Sequence, residues 1–288
     1  MGRVQDKVVL ITGAARGLGR SHALRLAEEG ADIIAVDVCK DPSAAHYAGS
    51  TVSDLDETVE LVRKTGRRAV AKQADVRDRA ALAAAIAEAV EELGRLDVVI
   101  PNAGINPVGN DLPVTAFTDT VDINLVGAIN TVHAALPHLG EGASIIVIGS
   151  VVALMPRFDG MGIGGPGNAG YNFTKSMLTE YADWLGVQLA PHNQRVNVVH
   201  PTTVATELMQ NTTMYKTFRP DLENPTADDV AGALHAVHGL PVAFLEPADV
   251  SHAIVYLASE ESRFVTGTQL RVDAGMINKL AAGARPGA

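Results

Sequence analysis

The chain has 288 residues, of which 47% are hydrophobic and 19% charged, a balance that suits a folded protein and excludes a disordered one. Its 23 Lys and Arg stand against 33 Asp and Glu, for a formal net charge of −10, so a nucleic-acid surface, which must neutralise phosphates, is not expected. Cys39 is the one cysteine; no internal disulfide can form, and no Cys/His cluster with metal-site spacing is present, so no metal is expected.

The first apolar run, Val8–Thr12, is too short for a signal-peptide core. The longest uncharged stretch, 123–140, carries Asn, His and Pro and does not read as a membrane span. A cytoplasmic protein is expected. In chain order, Val8–Thr12 reads as a strand, 18–29 as a helix and Asp32–Asp37 as a strand. A helix follows around 55–64. Then come a strand at 69–75, a helix at 78–93, a strand at 97–102 and a helix at 119–139. The alternation continues with a strand at 144–150, a helix at 169–189, a strand at 195–200, a helix at 247–259 and a strand at 269–273. Most strands are near-continuous apolar runs, as parallel strands buried on both faces require. The fold class is therefore α/β: a single-domain, Rossmann-type, doubly wound parallel sheet of seven strands flanked by helices.

The single domain spans 1–288. Insertions on this plan fall near 38–54, 155–170 and 202–224. The last two follow strand ends, where open α/β sheets bind ligands. Arg157, Phe158, Met161, Met209, Met214 and Phe218 lie in them and either wall the substrate site or pack a lid. The tail from Asn278 to Ala288 is expected to fray or to pack on a neighbouring subunit.

Strand Val8–Thr12 runs into Gly13, Gly17 and Gly19 and then a helix. Glycines in such a turn let backbone approach a pyrophosphate and let the helix pack on the strand. Alone, the turn also reads as an ordinary strand-to-helix loop. Asp37 ends the second strand at about the 20-residue spacing of an acid that binds adenosine ribose hydroxyls, which favours NAD over NADP. Arg16 and Lys40 pull the other way, since cations there could hold a phosphate.

Tyr171 and Lys175 are four residues apart in a helical stretch, so both can face one site. A neighbouring ammonium favours phenolate and lowers a tyrosine pKa, which lets the pair exchange a proton with an alcohol or ketone. Ser150 at a strand end can hydrogen-bond a substrate oxygen, or cap a loop. Asn124 sits in an apolar helical run, and a buried Asn needs partners, which points to a polar network reaching the site. Asn102, Ala103 and Gly104 close the fourth strand, where backbone can line a cofactor cleft.

In order and spacing these motifs resemble the short-chain dehydrogenase/reductase family over almost the whole chain. Further matches are Asp75-Val76, Val196-Asn197, Pro201, 246–249, Thr266-Gly267 and Val272-Asp273. The resemblance implies that Tyr171 is the general acid/base, Lys175 binds nicotinamide ribose and depresses the Tyr pKa, Ser150 orients the reacting oxygen, and Asn124 holds a water linking Lys175 to solvent. It implies cofactor contacts from Gly13, Arg16, Gly17, Leu18, Gly19, Asp37, Val38, Asp75, Val76, Asn102, Ala103, Gly104, Tyr171, Lys175, Pro201, Val204 and Thr206. Asp75 and Val76 would flank adenine; Val204 and Thr206 would meet the carboxamide.

The departures are Pro101 before Asn102-Ala103-Gly104, Pro201-Thr202 after strand six, a wide Ser150–Tyr171 spacing and a long loop after Asp37. Together they resemble the carveol-dehydrogenase-like branch, whose members are coupled to mycofactocin and hold their NAD. The resemblance implies an NAD-dependent enzyme interconverting a secondary alcohol, cyclic or terpenoid-like, and a ketone. It also implies a homotetramer, with Trp184 at a subunit interface. Two alternatives stand beside this reading: an NADPH-dependent ketoreductase such as a 3-ketoacyl-thioester reductase, and a non-catalytic dinucleotide sensor. Cys39 reads as filler and His200 as a structural hydrogen-bond partner.

Overall fold

Val8–Thr12 is buried at every position, as a strand covered by helices on both faces must be. The computed structural model describes residues 2–42, 45–155 and 164–283. Its strands are β1 (Val8–Thr12), β2 (Asp32–Asp37), β3 (Ala69–Gln73), β4 (Leu96–Ile100), β5 (Leu139–Ile148), β6 (Arg195–Pro201) and β7 (Gln269–Val272). They form one parallel sheet in the order β3-β2-β1-β4-β5-β6-β7. The helices are α1 (Gly17–Glu28), α2 (Val52–Lys64), α3 (Arg79–Leu93), α4 (Thr115–Val121), α5 (Gly127–Ala135), α6 (Gly165–Leu189), α7 (Thr212–Phe218), α8 (Ala227–Val237), α9 (Pro247–Ala258) and α10 (Met276–Gly283). None among the described residues is long and apolar enough to cross a membrane.

Side chains alternate across a strand, and the two cores follow from that. Val9 and Ile11 join Leu26 of α1, Val59 of α2 and Ile254 of α9 on one face. Val8 and Leu10 join Ile86 of α3, Val132 of α5 and Leu178 of α6 on the other. Capping side chains set where helices begin. Thr51 and Asp54 form a capping box at α2, and Asp78 accepts from Ala80 N and Ala81 N at α3; both satisfy donors that a helix start leaves open. The sheet order reverses between β1 and β4, which opens a crevice at their carboxyl ends.

Several boundaries differ from the sequence reading, and the differences matter for the site. β3, β4 and β5 end at Gln73, Ile100 and Ile148, so Asp75, Asn102 and Ser150 lie just past the ladder, free to turn into the crevice. The expected 119–139 helix is α4 and α5 joined by a π-helical turn, Asp122–Val126, and Leu139 already belongs to β5. α7 and α8 fall where no helix was expected. α10 replaces part of the expected frayed tail. Asp273 accepts from Gly275 N (3.0 Å) and Ile277 N (3.1 Å), and Lys279 Nζ donates to His238 O (2.7 Å). These bonds tie the helix to the body of the protein. Arg157, Phe158, Met161 and residues 284–288 lie outside the described residues.

Candidate active site

The glycine turn is fixed to the neighbouring strand end by hydrogen bonds. Thr12 Oγ1 accepts from Asn102 N (3.2 Å) and Ala103 N (3.3 Å), while Asn102 Nδ2 donates to Thr12 O (2.9 Å) and Gly13 O (3.1 Å). Gly13 has φ +66°, and a Cβ there would stand 2.8 Å from Ala103 Cα. A Cβ on Gly19 would collide with the Gly13 carbonyl. Both glycines are therefore required by close packing, and Gly17 opens α1. Arg16, before α1, gives no side-chain cap. The first N–H groups of α1 stay open toward the crevice, a suitable setting for an anion.

At the end of β2, Asp37 is buried. Its Oδ2 accepts from Ala15 N (3.0 Å), and its Oδ1 accepts from Cys39 N (3.1 Å) and Ser50 Oγ (2.6 Å). Arg16 donates to Gly49 O (3.1 Å) and Ala48 O (2.5 Å). Residues 45–50 thus form a strap drawn back onto the glycine turn. Its Tyr47 hydroxyl accepts from Asn106 N (3.2 Å), beyond β4, so the strap spans the crevice. Burial, and then the Asp37 charge, push the Cys39 thiol up to about 11, which leaves it unreactive at neutral pH.

Asp75 accepts from Arg77, in an ion pair of 2.6 Å. That hydrogen bond holds the Asp75 carboxyl below its usual range against the opposing cost of burial. Val76 O accepts from Asn130 Nδ2 (2.9 Å). Beyond β6, Val204 bridges Leu245, and Thr206 reaches the glycine turn, its Cγ2 lying 3.4 Å from where a Gly17 Cβ would be.

Ser150 follows β5 and caps a short 3-10 turn, Val151–Leu154. His200 fixes its backbone: Nδ1 lies 3.2 Å from Ser150 N and 2.8 Å from Ser150 O, and Nε2 donates to Gln269 Oε1 (2.5 Å). His200 is structural, as the sequence suggested. Tyr171 and Lys175 share a face of α6, with Lys175 Nζ 5.5 Å from the Tyr171 ring centre. Lys175 Nζ donates to Ile148 O (2.8 Å), and burial brings its pKa down to about 8. Burial also raises the Tyr171 pKa, with Ser150 pulling it back. The expected lowering of the Tyr171 pKa by Lys175 is therefore overturned in the free chain. Desolvation of the phenolate dominates, and the ammonium is directed at a carbonyl.

Asn124 sits in the π-helical turn, 1% exposed. Its Oδ1 accepts from Ile105 N and its Nδ2 donates to Ile105 O, both at 2.8 Å. The resemblance places a Lys175-linked water on this residue; in the structure its side-chain amide is engaged by both backbone groups of Ile105.

These elements enclose a cleft of about 640 Å³. Gly13, Arg16, Gly17, Leu18, Asp37, Val38, Asp75, Val76, Asn102, Ala103, Gly104, Ser150, Tyr171, Lys175, Pro201, Val204 and Thr206 all line it. Of the expected residues, Gly19 and Asn124 stand behind the wall, one packing the glycine turn and the other holding Ile105. Met209, Met214 and Phe218 also line it, as do Met155 and Met276, which sequence reasoning missed. It also missed Tyr47, Asn106 and Asn168. An aromatic residue inside the polar 38–54 insertion was the available signal for Tyr47; the two asparagines carried none.

Comparison with known proteins accords with this arrangement. The family model described as Enoyl-(Acyl carrier protein) reductase matches residues 13–277. The (-)-trans-carveol dehydrogenase of Rhodococcus erythropolis is 43% identical over 280 residues, covering 96% of this chain and 99% of its own. The crystal structure of carveol dehydrogenase from Mycobacterium avium in complex with NAD superposes with a TM-score of 0.91 at 44% identity, over 96% of this chain and 100% of that one. That of a short chain dehydrogenase from Mycobacterium paratuberculosis bound to NAD does so with a TM-score of 0.83 at 37% identity, again over 96% and 100%.

Proposed function

The chain belongs to the short-chain dehydrogenase/reductase family, and from that premise we propose that it is an NAD-dependent oxidoreductase interconverting a secondary alcohol and a ketone. The observation that carries this reading is the convergence of Ser150, Tyr171 and Lys175 on one cleft with the uncapped start of α1.

The residues present fit the dinucleotide. The glycine turn leaves room that a Cβ at Gly13 would fill, α1 offers free N–H groups for the pyrophosphate, and Asp37 ends β2 where the ribose would lie. Asp75 and Val76 would flank the adenine, Asn102, Ala103 and Gly104 would line the cofactor cleft, and Pro201, Val204 and Thr206 would meet the nicotinamide end. Asp37 disfavours a 2′-phosphate, and Arg16 is already engaged by two strap carbonyls, which weighs against the NADPH reading. The relatives solved with NAD support the same choice.

When bound, NAD exchanges the hydride with the substrate carbon. The Ser150 hydroxyl orients the reacting oxygen, and the Tyr171 hydroxyl gives or takes its proton. Lys175, directed by the Ile148 carbonyl, would hold the nicotinamide ribose. Asn124 acts by fixing Ile105. The retention of this whole set weighs against an idle sensor.

The substrate is a cyclic or terpenoid-like alcohol. The methionines and Phe218 that line the cleft support this, as does the likeness to carveol dehydrogenases. The NAD is retained between turnovers, because the strap crosses the crevice and is tied down by Arg16, Ser50 and Tyr47; a mycofactocin-type carrier then recycles it in place. The enzyme works in the cytoplasm as a homotetramer. The outer face of α6 supports assembly, since it leaves Trp184 62% and Val187 71% exposed, an apolar surface that a partner subunit would cover.

The test is to purify the protein without added cofactor, identify any bound nucleotide by mass, and add a cyclic secondary alcohol. Bound NAD, reduced as ketone appears, is the expected result. Turnover with NADP and none with NAD would contradict the assignment.

A further inference from the structure

Among the side chains that line the cleft, Tyr47, Asn106 and Asn168 form one connected polar cluster. Asn168 lies one helical turn before Tyr171 on α6, and its Nδ2 donates to Asn106 Oδ1 (3.1 Å). Asn172 Nδ2 in turn donates to Asn168 Oδ1 (3.4 Å). Asn106 is 6% exposed and follows Ile105, the residue that Asn124 pins in place. The Tyr47 hydroxyl arrives from the strap and accepts from Asn106 N (3.2 Å).

Two donors of this cluster are left over. Tyr47 uses its oxygen as an acceptor, and its own O–H proton has no acceptor among the described residues. Asn106 uses Oδ1 and its backbone N–H, and its Nδ2 has no partner among them either. Burial pushes the Tyr47 pKa up to about 12, so the hydroxyl remains a donor at neutral pH. All three side chains line the same cleft as Ser150 and Tyr171. None belongs to the set that moves the proton or hydride.

We propose that Tyr47, Asn106 and Asn168 form a second polar anchor in the cleft, which takes an acceptor oxygen on the substrate remote from the reacting carbon. The favoured substrate is then an alicyclic secondary alcohol carrying a second oxygen function, a hydroxyl, carbonyl or ether, rather than a purely hydrocarbon ring alcohol. This rests on the alcohol-oxidising reading and narrows it. The physical reason is desolvation. A hydrocarbon substrate filling the cleft would strip water from two donors and leave them unpaired, whereas an oxygen between them satisfies both. Sites built from buried polar groups discriminate against analogues that lack the matching group. Tyr47 also makes the strap part of the substrate wall, so substrate and cofactor are held by one segment.

The experiment uses the NAD-loaded protein and a panel of ring alcohols: carveol, the diol made by hydrating its side-chain double bond, and ring-hydroxylated or ring-keto counterparts. Kd by calorimetry and kcat/KM by NADH formation are measured for each. At least one dioxygenated member should bind and react roughly tenfold better than carveol, the factor that one net hydrogen bond provides. Tyr47→Phe, which removes only the hydroxyl, should erase most of that preference, and Asn168→Ala should reduce it. Equal Kd across the panel would overturn the anchor, as would a Tyr47→Phe variant that weakens carveol and its oxygenated counterparts alike. A preference in Kd without any turnover would support the anchor and contradict the oxidoreductase reading.

Discussion

Asn124 grips Ile105 by both backbone groups, with two hydrogen bonds of 2.8 Å. The π-helical turn that carries Asn124 is thereby joined to the segment that leaves β4 and lines the cleft. Asn124→Leu strands a buried N–H and C=O. We expect a loss of about 2–4 kcal/mol in urea unfolding, with a raised KM as Asn106 shifts and NAD still bound. An unchanged unfolding midpoint would show that the pair contributes nothing.

Arg16 is predicted to hold the cofactor by holding the strap. Arg16→Ala removes the bonds to Ala48 O and Gly49 O and leaves Asp37 in place. The NAD content of freshly purified protein should fall, and the dissociation rate of NAD should rise roughly tenfold or more, on the scale of one to two hydrogen bonds. Nucleotide content by mass spectrometry and stopped-flow displacement read both quantities.

Most of the scaffold could be read from the sequence because its signals are local. Runs such as Asp32–Asp37 are buried at every position, and a continuous apolar run is what a doubly covered strand needs. The cleft residues at strand ends were equally legible through motif spacing. Tyr47, Asn106 and Asn168 were not, because their meeting depends on a loop crossing between β2 and β4, a non-local contact with no periodicity. The π-helical turn was also hidden, since no residue type in Asp122–Val126 marks a wider turn in the sequence. The Tyr171 pKa was misjudged because spacing reports the neighbouring Lys175 and says nothing of burial.

Lys175 should make stability depend on pH in the alkaline range. Its pKa falls from 10.5 to about 8 on folding. Between those values the unfolded chain holds a proton that the folded chain has released, so stability rises with pH across that window. Relative to Lys175→Met, the wild type should gain about 3 kcal/mol from pH 8 to pH 10.5. Taking the difference between the two proteins removes the opposing contributions of Tyr171 and Cys39. Parallel stability curves would contradict the assigned burial of the ammonium.

His22 contributes to the pH dependence on the acid side. It is fully buried between α1 and α9, with Nδ1 2.8 Å from Ser251 Oγ and Nε2 without a partner among the described residues. Burial lowers its pKa from 6.5 to about 3. The unfolded state therefore takes up a proton first as pH falls, and stability is lost from about pH 6.5 toward pH 3. His22→Gln should lose less over that range, by roughly 4 kcal/mol at the acid end, as read from urea midpoints at successive pH values.

The central claim is that Tyr171 handles the proton of an alcohol oxidised by bound NAD. The direct measurement is a single turnover of NAD-loaded wild type and Tyr171→Phe with a cyclic secondary alcohol, following NADH absorbance. The account predicts one equivalent of NADH per bound NAD in the wild type. In the variant it predicts unchanged NAD content with a rate lower by about 10³-fold or more, within the range for losing a positioned acid/base. NADH formation by Tyr171→Phe at the wild-type rate would contradict it.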